Sequence, residues 1–144
     1  MSFDMGSYLG LRPQETLKNE ILKGVKNLGG AYAEASYSGG NDEGGVDGVR
    51  IFRPVTASDP KEKISQVYRD DKYVELVDVT PPHETFGWNH PLWNAFQDLL
   101  GHEFGSWAGD FSASGSVFVD VSEKRIWRTG EVSTYESDET AGEY

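Results

Sequence analysis

Residues 31–55 read AYAEASYSGGNDEGGVDGVRIFRPV, and they predict two strands joined by a glycine-rich loop. In the first part, the more polar side chains at even positions 32–38 alternate with alanines and a tyrosine at odd positions 31–37, which is typical of a half-buried strand. After the glycines, VRIFRPV predicts a second strand that ends at Pro54, because proline cannot donate to the hydrogen bonds of a sheet. Two strands joined by a loop of this length are expected to be antiparallel neighbours.

The loop itself, residues 37–49, holds five glycines and the acids Asp42, Glu43 and Asp47, but no lysine or arginine. A calcium loop of the EF-hand type needs oxygen ligands at alternate positions and a glutamate at the twelfth, and this order is absent here. A phosphate loop usually combines backbone amides with a lysine, whereas three acids would repel phosphate. The segment is therefore expected to be a solvated turn or an exposed protein-binding loop.

Two amphipathic helices are predicted outside this hairpin. In LRPQETLKNEILKGVKNLGG, residues 11–30, apolar side chains recur at helical spacing from Leu17 to Leu28, and the glycine pair ends the helix. Gly24 costs about 1 kcal/mol relative to alanine inside this helix unless another group packs closely there. The second helix, PLWNAFQDLLGHEFG at residues 91–105, has a broad apolar face and a proline near its start.

Further strands complete the predicted fold. YVELVDV, residues 73–79, predicts one strand, and residues 116–137 contain a hairpin that turns at Ser122–Lys124. The polar segment 54–72 is expected to be a long loop or to contain a short helix from Lys61 to Tyr68. The acidic tail, residues 136–144, is expected to be frayed. The chain thus reads as a single α+β domain, residues 1–144, in which two helices pack on an antiparallel sheet of about five strands.

Composition disfavours several classes of function. The 144 residues carry a formal net charge of −11, which repels nucleic-acid phosphates and anionic lipids, so neither direct nucleic-acid binding nor membrane binding is expected. The lack of cysteine removes disulfides, thiolate metal sites and cysteine nucleophiles. No segment has the basic start of a signal peptide or the ~20 apolar residues of a membrane span. A cytoplasmic protein without a cofactor is therefore expected, and its oligomeric state is left open.

Three histidines are the alternative candidates for chemistry. His83, His90 and His102 lie near the ends of the second predicted helix and could meet there, where three imidazoles would suffice for zinc. Their spacings of seven and twelve residues match no compact metal-ligand pattern, and His90 is also placed to cap the helix. A small metal-dependent enzyme that uses these histidines is the second hypothesis. The third is an acidic housekeeping protein whose charge serves solubility alone.

Three segments carry a resemblance to a known family: YSGGNDEGGVDGV from residue 37, GSWAGDFSASGSVFVDV from residue 105 and WRTGEVSTYES from residue 127. They resemble an uncharacterised family of small acidic proteins from phages, plasmids and bacterial genomes. The matching residues are Tyr37, Gly39 and Asp42 in the first block, and Trp107, Gly109, Asp110 and Gly115 in the second. The family has no established activity. The resemblance implies a mobile-element setting, where small acidic proteins block host defence as anti-CRISPR and anti-restriction proteins do.

We therefore expect a non-enzymatic acidic module that binds the basic surface of a host protein or nucleoprotein complex. Its expected role is to inhibit a host nucleic-acid-targeting defence complex, by steric blocking or by mimicry of nucleic acid. The contacts are expected from the acids of the loop and of the C-terminal tail. These residues are Asp42, Glu43, Asp47, Glu131, Glu136, Asp138 and Glu139. Such binding should be fast and sensitive to salt.

Overall fold

The computed structural model of the chain describes residues 12–69, 71–105, 107, 111–133 and 137–144. Within this part the chain forms two α-helices and seven β-strands. The helices are α1 (Gln14–Asn27) and α2 (Pro91–Phe104). The strands are β1 (Tyr32–Gly40), β2 (Glu43–Pro54), β3 (Ile64–Arg69), β4 (Lys72–Asp78), β5 (Ser112–Asp120), β6 (Arg125–Ser133) and β7 (Ser137–Glu143). A short 3₁₀ helix, Lys61–Lys63, precedes β3.

The seven strands form one antiparallel sheet in the order β3-β4-β2-β1-β5-β6-β7, and this sheet curls into a half-barrel. β1 lies at its centre, because all of its residues pair with β2 on one side and with β5 on the other. The α+β class, the two helices, the β1–β2 hairpin and the β5–β6 hairpin are confirmed. The predicted number of about five strands is too low.

Strand β3 corrects the prediction for residues 54–72. This segment forms neither a long loop nor a helix from Lys61 to Tyr68, since β3 pairs with β4 along its whole length. Alternation explains the strand: Val67 and Arg69 are buried, whereas Tyr68 between them is exposed. An arginine at a buried position hides the period of two in the sequence, because arginine is normally read as a solvent-facing residue.

Strand β7 corrects the prediction of a frayed tail. Ser137–Glu143 pairs with β6 throughout, so this acidic segment is the last strand of the sheet. Tyr144 anchors it further, because its hydroxyl donates to Glu103 on α2 (3.0 Å) and its carbonyl accepts from Lys18 on α1 (2.9 Å). These long-range contacts to both helices order a segment that has no apolar pattern of its own.

The main core lies between the helices and one face of the sheet, which we call the inner face. The predicted stripe of α1 is buried there, as is the apolar face of α2. The fully or almost fully buried helical residues are Leu17, Ile21, Val25, Leu92, Ala95, Phe96, Leu99 and Leu100. Gly24 lies where the helices approach each other, and a Cβ there would come 3.1 Å from Leu92 Cδ1. The glycine therefore permits close helix packing, which offsets its low helix propensity.

A buried polar network ties α2 to the inner face. The Arg128 guanidinium donates to Glu103 Oε1 (2.8 Å), to the Tyr37 hydroxyl (3.0 Å) and to the Thr140 hydroxyl (2.7 Å). Its Nε lies 2.5 Å from the other oxygen of Glu103, so the two groups form a paired contact. The network thus joins β1, β6, β7 and α2 through one arginine that is only 3% exposed.

Two glycines make room for Tyr37 in this network. Gly115 and Gly130 stand in the same row of the sheet as Tyr37. A Cβ on Gly115 would lie 2.7 Å from the tyrosine hydroxyl oxygen, and a Cβ on Gly130 would lie 2.5 Å from it. The phenol therefore passes over the backbone of β5 and β6, where only glycine leaves enough space.

The same burial shifts the titration of the network. Burial raises the pKa of the Tyr37 phenol above its ordinary value, although the hydrogen bond from Arg128 acts in the opposite direction. Burial disfavours the Arg128 cation, but hydrogen bonds with Glu103 and Tyr37 prevail and raise its pKa. Burial raises the pKa of Tyr144 as well, and the negative charge of Glu103 adds to the rise. The network therefore holds a charged pair beside two neutral phenols at neutral pH.

The β3–β4 hairpin folds over part of the opposite, outer face of the sheet. Val67 packs there with Phe52 in a second, small apolar cluster. The Arg69 guanidinium lies 4.6 Å from the ring centre of Tyr32 and 5.6 Å from that of Trp127. It also donates to a backbone carbonyl of β5 at 3.0 Å. These cation–π and hydrogen-bond contacts attach the hairpin to the outer face.

Asp59 organises the loop that leads into β3. Its carboxylate accepts from the two Nη atoms of Arg53 (2.9 and 2.7 Å) and from the backbone N–H and hydroxyl of Thr56 (2.7 and 2.9 Å). These hydrogen bonds, that of Arg53 above all, hold the pKa of Asp59 well below its ordinary value of 3.8. The ionised carboxylate therefore contributes stability above pH 3.8, and the contribution is lost as the pH falls below that value.

We expect Asp59→Asn to lower the melting temperature at neutral pH, and we expect this deficit to shrink between about pH 5 and about pH 2. The unmodified protein loses the carboxylate contacts over that range, whereas the variant has none to lose. Thermal melts at stepped pH values measure the effect. Glu62→Gln, in the neighbouring 3₁₀ helix, is an exposed control that should leave the melting temperature nearly unchanged. A deficit of constant size down to the lowest pH would contradict the assignment.

Candidate functional site

The glycine-rich hairpin is a packing site for a tryptophan. The Trp107 ring lies against Gly39 and Gly44, where added Cβ atoms would come 2.4 and 2.3 Å from ring atoms. Asn41 and Asp42 form the turn at positive φ, and the Asp42 N–H donates to the Trp107 carbonyl (2.8 Å). The glycines are therefore explained by contacts within the protein, and they are no evidence of a ligand loop.

The sheet brings loop acids and tail acids into one row of the outer face. Asp47 lies at the register shift between β1 and β2, where its carboxylate accepts from the Ser38 hydroxyl (2.7 Å). Ser38 pairs with Ser114, Ser114 with Glu131, and Glu131 with Glu139. All five residues are exposed. Residues paired across antiparallel strands share a face, so these carboxylates belong to one surface.

The other predicted acids lie near this row or outside the described residues. Asp42 and Glu43 are exposed at the β1–β2 turn, at the same end of the sheet as the start of β7. Asp138 pairs with Val132 in the β6–β7 ladder, but its side chain is outside the described part of the structure. Glu136 lies entirely outside it.

An open groove of about 550 Å³ adjoins Glu131 and Glu139. We call it the acidic groove. Its lining consists of Asp71, Thr129, Gly130, Glu131, Glu139, Thr140 and Ala141. Asp71 comes from the β3–β4 turn, where it adopts a φ of 62° that aspartate tolerates better than most residues. It reaches β6 and β7 because the hairpin folds over the outer face. The described lining therefore carries three carboxylates and neither lysine nor arginine.

Two exposed tyrosines stand beside Asp71. Tyr68 and Tyr73 flank the β3–β4 turn, and their residues are 53% and 70% exposed. Their ring centres lie 5.1 Å apart in an edge-to-face arrangement, and the Tyr68 hydroxyl is 3.5 Å from Asp71 Oδ1. Tyrosine is enriched at the centres of protein interfaces. The tyrosine pair and the acidic groove together form a surface suited to a basic partner.

The structure separates the three histidines. His90 precedes α2, where its Nδ1 accepts from the Leu92 N–H (3.1 Å), which confirms the predicted cap. His102 lies about 18 Å further along the helix, with its Nε2 2.6 Å from the Arg12 carbonyl. His83 is exposed on the connector before α2. The prediction that all three meet is wrong, and no three His, Asp or Glu side chains in the described ranges converge on a possible metal position.

Sequence reasoning missed the contribution of the β3–β4 turn to this surface. Tyr68, Asp71 and Tyr73 fall in or beside a segment whose strand was not predicted. The available signal is YRDDKY at residues 68–73, in which two aspartates stand between two strand-forming tyrosines. That pattern is consistent with a tight hairpin turn.

Comparison with models of protein families, with curated proteins and with solved structures gives no match for this chain. Neither helix in the described ranges has the length and apolarity of a helix that crosses a membrane. The class of this protein is therefore described by its fold and surface. The protein is an acidic α+β domain with a curled seven-stranded sheet, whose outer face carries a carboxylate-lined groove beside two exposed tyrosines.

Proposed function

We propose that this chain is a non-enzymatic binding module that holds a lysine- or arginine-rich segment of a partner protein in the acidic groove. The observation that carries the proposal is the convergence of Asp71, Glu131 and Glu139, from three separate strands or turns, on one open groove. Like charges this close repel each other in the absence of a cation. A basic segment would relieve that repulsion on binding, so the groove favours such a partner.

Glu131 and Glu139 give the groove its most concentrated charge. They are directly paired across β6 and β7, where Cβ atoms lie about 5 Å apart. The next row of the outer face contains only small side chains, from Ser116, Thr129 and Ala141. Small residues let the backbone of a partner approach closely, while the two carboxylates at the edge pair with its cations.

Tyr68 and Tyr73 supply the less polar part of the surface. Exposed charges mainly set the association rate and the specificity, whereas aromatic side chains that become buried contribute much of the binding free energy. Guanidinium and ammonium groups also pack favourably on tyrosine rings. A basic segment next to Asp71 would contact both kinds of group.

The finer form of the proposal is that the partner belongs to a host nucleic-acid-targeting defence complex, whose nucleic-acid channel is basic. The net charge of −11 supports attraction to such a channel, and the resemblance to phage and plasmid proteins supports the setting. Asp47 is separated from Glu131 by two serine positions, about 14 Å across three strand spacings. Because the acids do not form a continuous ladder, steric blocking assisted by charge fits better than close mimicry of a phosphate backbone.

We expect the triple variant Asp71→Asn/Glu131→Gln/Glu139→Gln to bind a fluorescein-labelled decalysine peptide roughly tenfold more weakly than the unmodified protein. Three exposed charge contacts of about 0.5 kcal/mol each account for this factor. Fluorescence anisotropy at several salt concentrations measures it, and the affinity of the unmodified protein should fall more steeply with salt. Glu15→Gln/Glu62→Gln/Glu123→Gln removes the same charge from exposed positions elsewhere and should retain most of the affinity.

Equal losses in the two triple variants would mean that the peptide responds only to net charge, which would favour acidity that serves solubility.

The proposal that the partner belongs to a defence complex has its own test. Cells that carry a CRISPR or restriction system would be challenged with target plasmid, with and without the protein. We expect plasmid survival to rise with the unmodified protein and to fall back with the groove variant. Unchanged survival would remove the inhibitor role while leaving the peptide-binding result intact.

A further inference from the structure

The loop between β4 and α2 forms a pocket that shares no residue with the acidic groove. It measures about 700 Å³, which is in the range of small-molecule sites. Two turns define the loop, because the Phe86 N–H donates to the Pro82 carbonyl (3.0 Å) and the His90 N–H donates to the Gly87 carbonyl (2.8 Å). The Phe86 side chain is buried in the main core. The pocket is therefore built on a loop that is anchored in the protein interior.

Trp88 presents a large apolar surface at this pocket. It is 78% exposed, more than any other large apolar residue in the described ranges. Two further rings line the pocket: Phe86 and Trp93 stand edge to face with their centres 6.1 Å apart. An exposed indole gains free energy when a flat apolar group covers its face. The ligand that suits this pocket therefore has at least one flat apolar face.

One hydrogen-bond donor of this lining is open to a ligand. The Nε1–H of Trp93 has no hydrogen-bond partner among the described residues, but it is buried, so Trp93 contributes its ring to the pocket rather than its donor. The accessible donor belongs to His90, and a ligand that brings an acceptor can pair with it. Because its Nδ1 accepts from the Leu92 N–H, the neutral ring carries its proton on Nε2.

The charge of the pocket lining narrows the choice of ligand class further. Glu84 is the formally charged residue of the lining, which contains no lysine or arginine when the histidines are neutral. An anionic ligand would meet Glu84 and a chain of net charge −11. An organic cation would leave the His90 donor without an acceptor. A neutral ligand with a flat apolar face and hydroxyl groups, which both accept and donate, pairs with His90, Glu84 and Asn89.

We propose that this pocket binds a neutral saccharide. One face of a pyranose ring presents C–H groups that stack on an indole such as that of Trp88. A ring hydroxyl accepts a hydrogen bond from His90, and other hydroxyls donate to Glu84 and Asn89. The inference rests on residues other than those of the acidic groove, so either proposal stands or fails without the other.

The test is a titration of ¹⁵N-labelled protein with three neutral pentasaccharides: a β-linked glucan, an α-linked glucan and a β-linked N-acetylglucosamine chain. The four tryptophans give separate indole N–H signals in the NMR spectrum. We expect saturable shifts of the Trp88 and Trp93 indole signals with at least one of these sugars. Trp88→Ala should weaken that binding roughly tenfold or more, because the stacking contact is lost.

Control variants distinguish binding in this pocket from nonspecific binding to exposed aromatic side chains. Tyr73→Ala removes an exposed aromatic residue outside the pocket and should leave sugar binding unchanged. Trp88 is exposed, so its replacement should not alter the melting temperature. The proposal is overturned if no sugar gives saturable shifts at up to ~10 mM, or if Trp88→Ala binds as well as the unmodified protein. It is equally overturned if inorganic phosphate or trimethyllysine shifts the two indole signals and the sugars do not.

Discussion

Glu103→Leu is expected to lower the free energy of unfolding by about 2–4 kcal/mol, because it leaves the buried Arg128 charge without its carboxylate. The Glu103 side chain is 34% exposed, so water offsets part of the loss. Arg128 is 3% exposed, and the hydroxyls of Tyr37 and Thr140 cannot replace the negative charge of Glu103. The hydroxyl of Tyr144 also loses its acceptor on α2. Since β7 and α2 meet at this residue, we expect the loss of stability to be accompanied by loosening of the last strand.

Chemical denaturation of the variant measures the free energy, and amide hydrogen exchange reports the loosening of β7. Arg50→Met is the matched control, because it breaks the Arg50–Glu34 pair on the outer face (3.0 Å), where the Arg50 side chain is 55% exposed. That control should cost at most about 1 kcal/mol. In the double variant Glu103→Leu/Arg128→Met, both charges are gone, so the cost should be smaller than the sum of the two single costs. Additive costs would refute coupling between Glu103 and Arg128.

Gly44→Ala is expected to destabilise the protein by about 3 kcal/mol, although it adds only one methyl group. That methyl group would lie 2.3 Å from Trp107 Cδ2 and 2.7 Å from the Gly39 backbone. Neither the indole nor the neighbouring strand can move away easily, since β1 is paired on both sides. The ring would have to leave its place on the hairpin, and its fluorescence should shift toward that of an exposed tryptophan.

Gly48→Ala is the control on the same strand. A Cβ at Gly48 would make only an ordinary contact, 3.5 Å from Ser36 Oγ. The free energy of unfolding of this variant should be unchanged or higher by about 0.5–1 kcal/mol, because alanine restricts the conformations of the unfolded chain. Equilibrium unfolding of both variants gives the comparison. Equal effects at the two positions would show that the Trp107 contact does not explain the glycines of this loop.

Local patterns predicted much of the fold. The stripe from Leu17 to Val25 identified α1, and the alternation around Ala33 and Tyr37 identified β1, because each pattern depends only on the periodicity of neighbouring residues. Strands β3 and β7 escaped prediction for the opposite reason. Arg69 is buried by aromatic rings of other strands, and the tail that contains Glu139 is ordered by pairing with β6. Neither partner can be read from the residues nearby.

The residues of the acidic groove were likewise only partly predictable from the sequence. Glu131 and Glu139 could be selected from the sequence because the tail is acidic, yet nothing local indicates that they face each other. Asp71 could not be selected, because it meets them only after the β3–β4 hairpin folds over the sheet. The histidines show the opposite error, because sequence reasoning brought together residues that the structure keeps apart. A helix of this length keeps His90 and His102 at opposite ends.

The amino-acid sequence alone determined the net charge, the lack of thiols, both helices and the central hairpin, because composition and short-range periodicity contain that information. The tertiary structure decided which acids share a face and what the glycines of residues 37–49 are for. Both depend on strand register and on a distant tryptophan. A register slip of one residue would move Glu131 from the outer to the inner face without changing any local pattern. Pairing between remote segments, rather than acidity itself, therefore creates the groove.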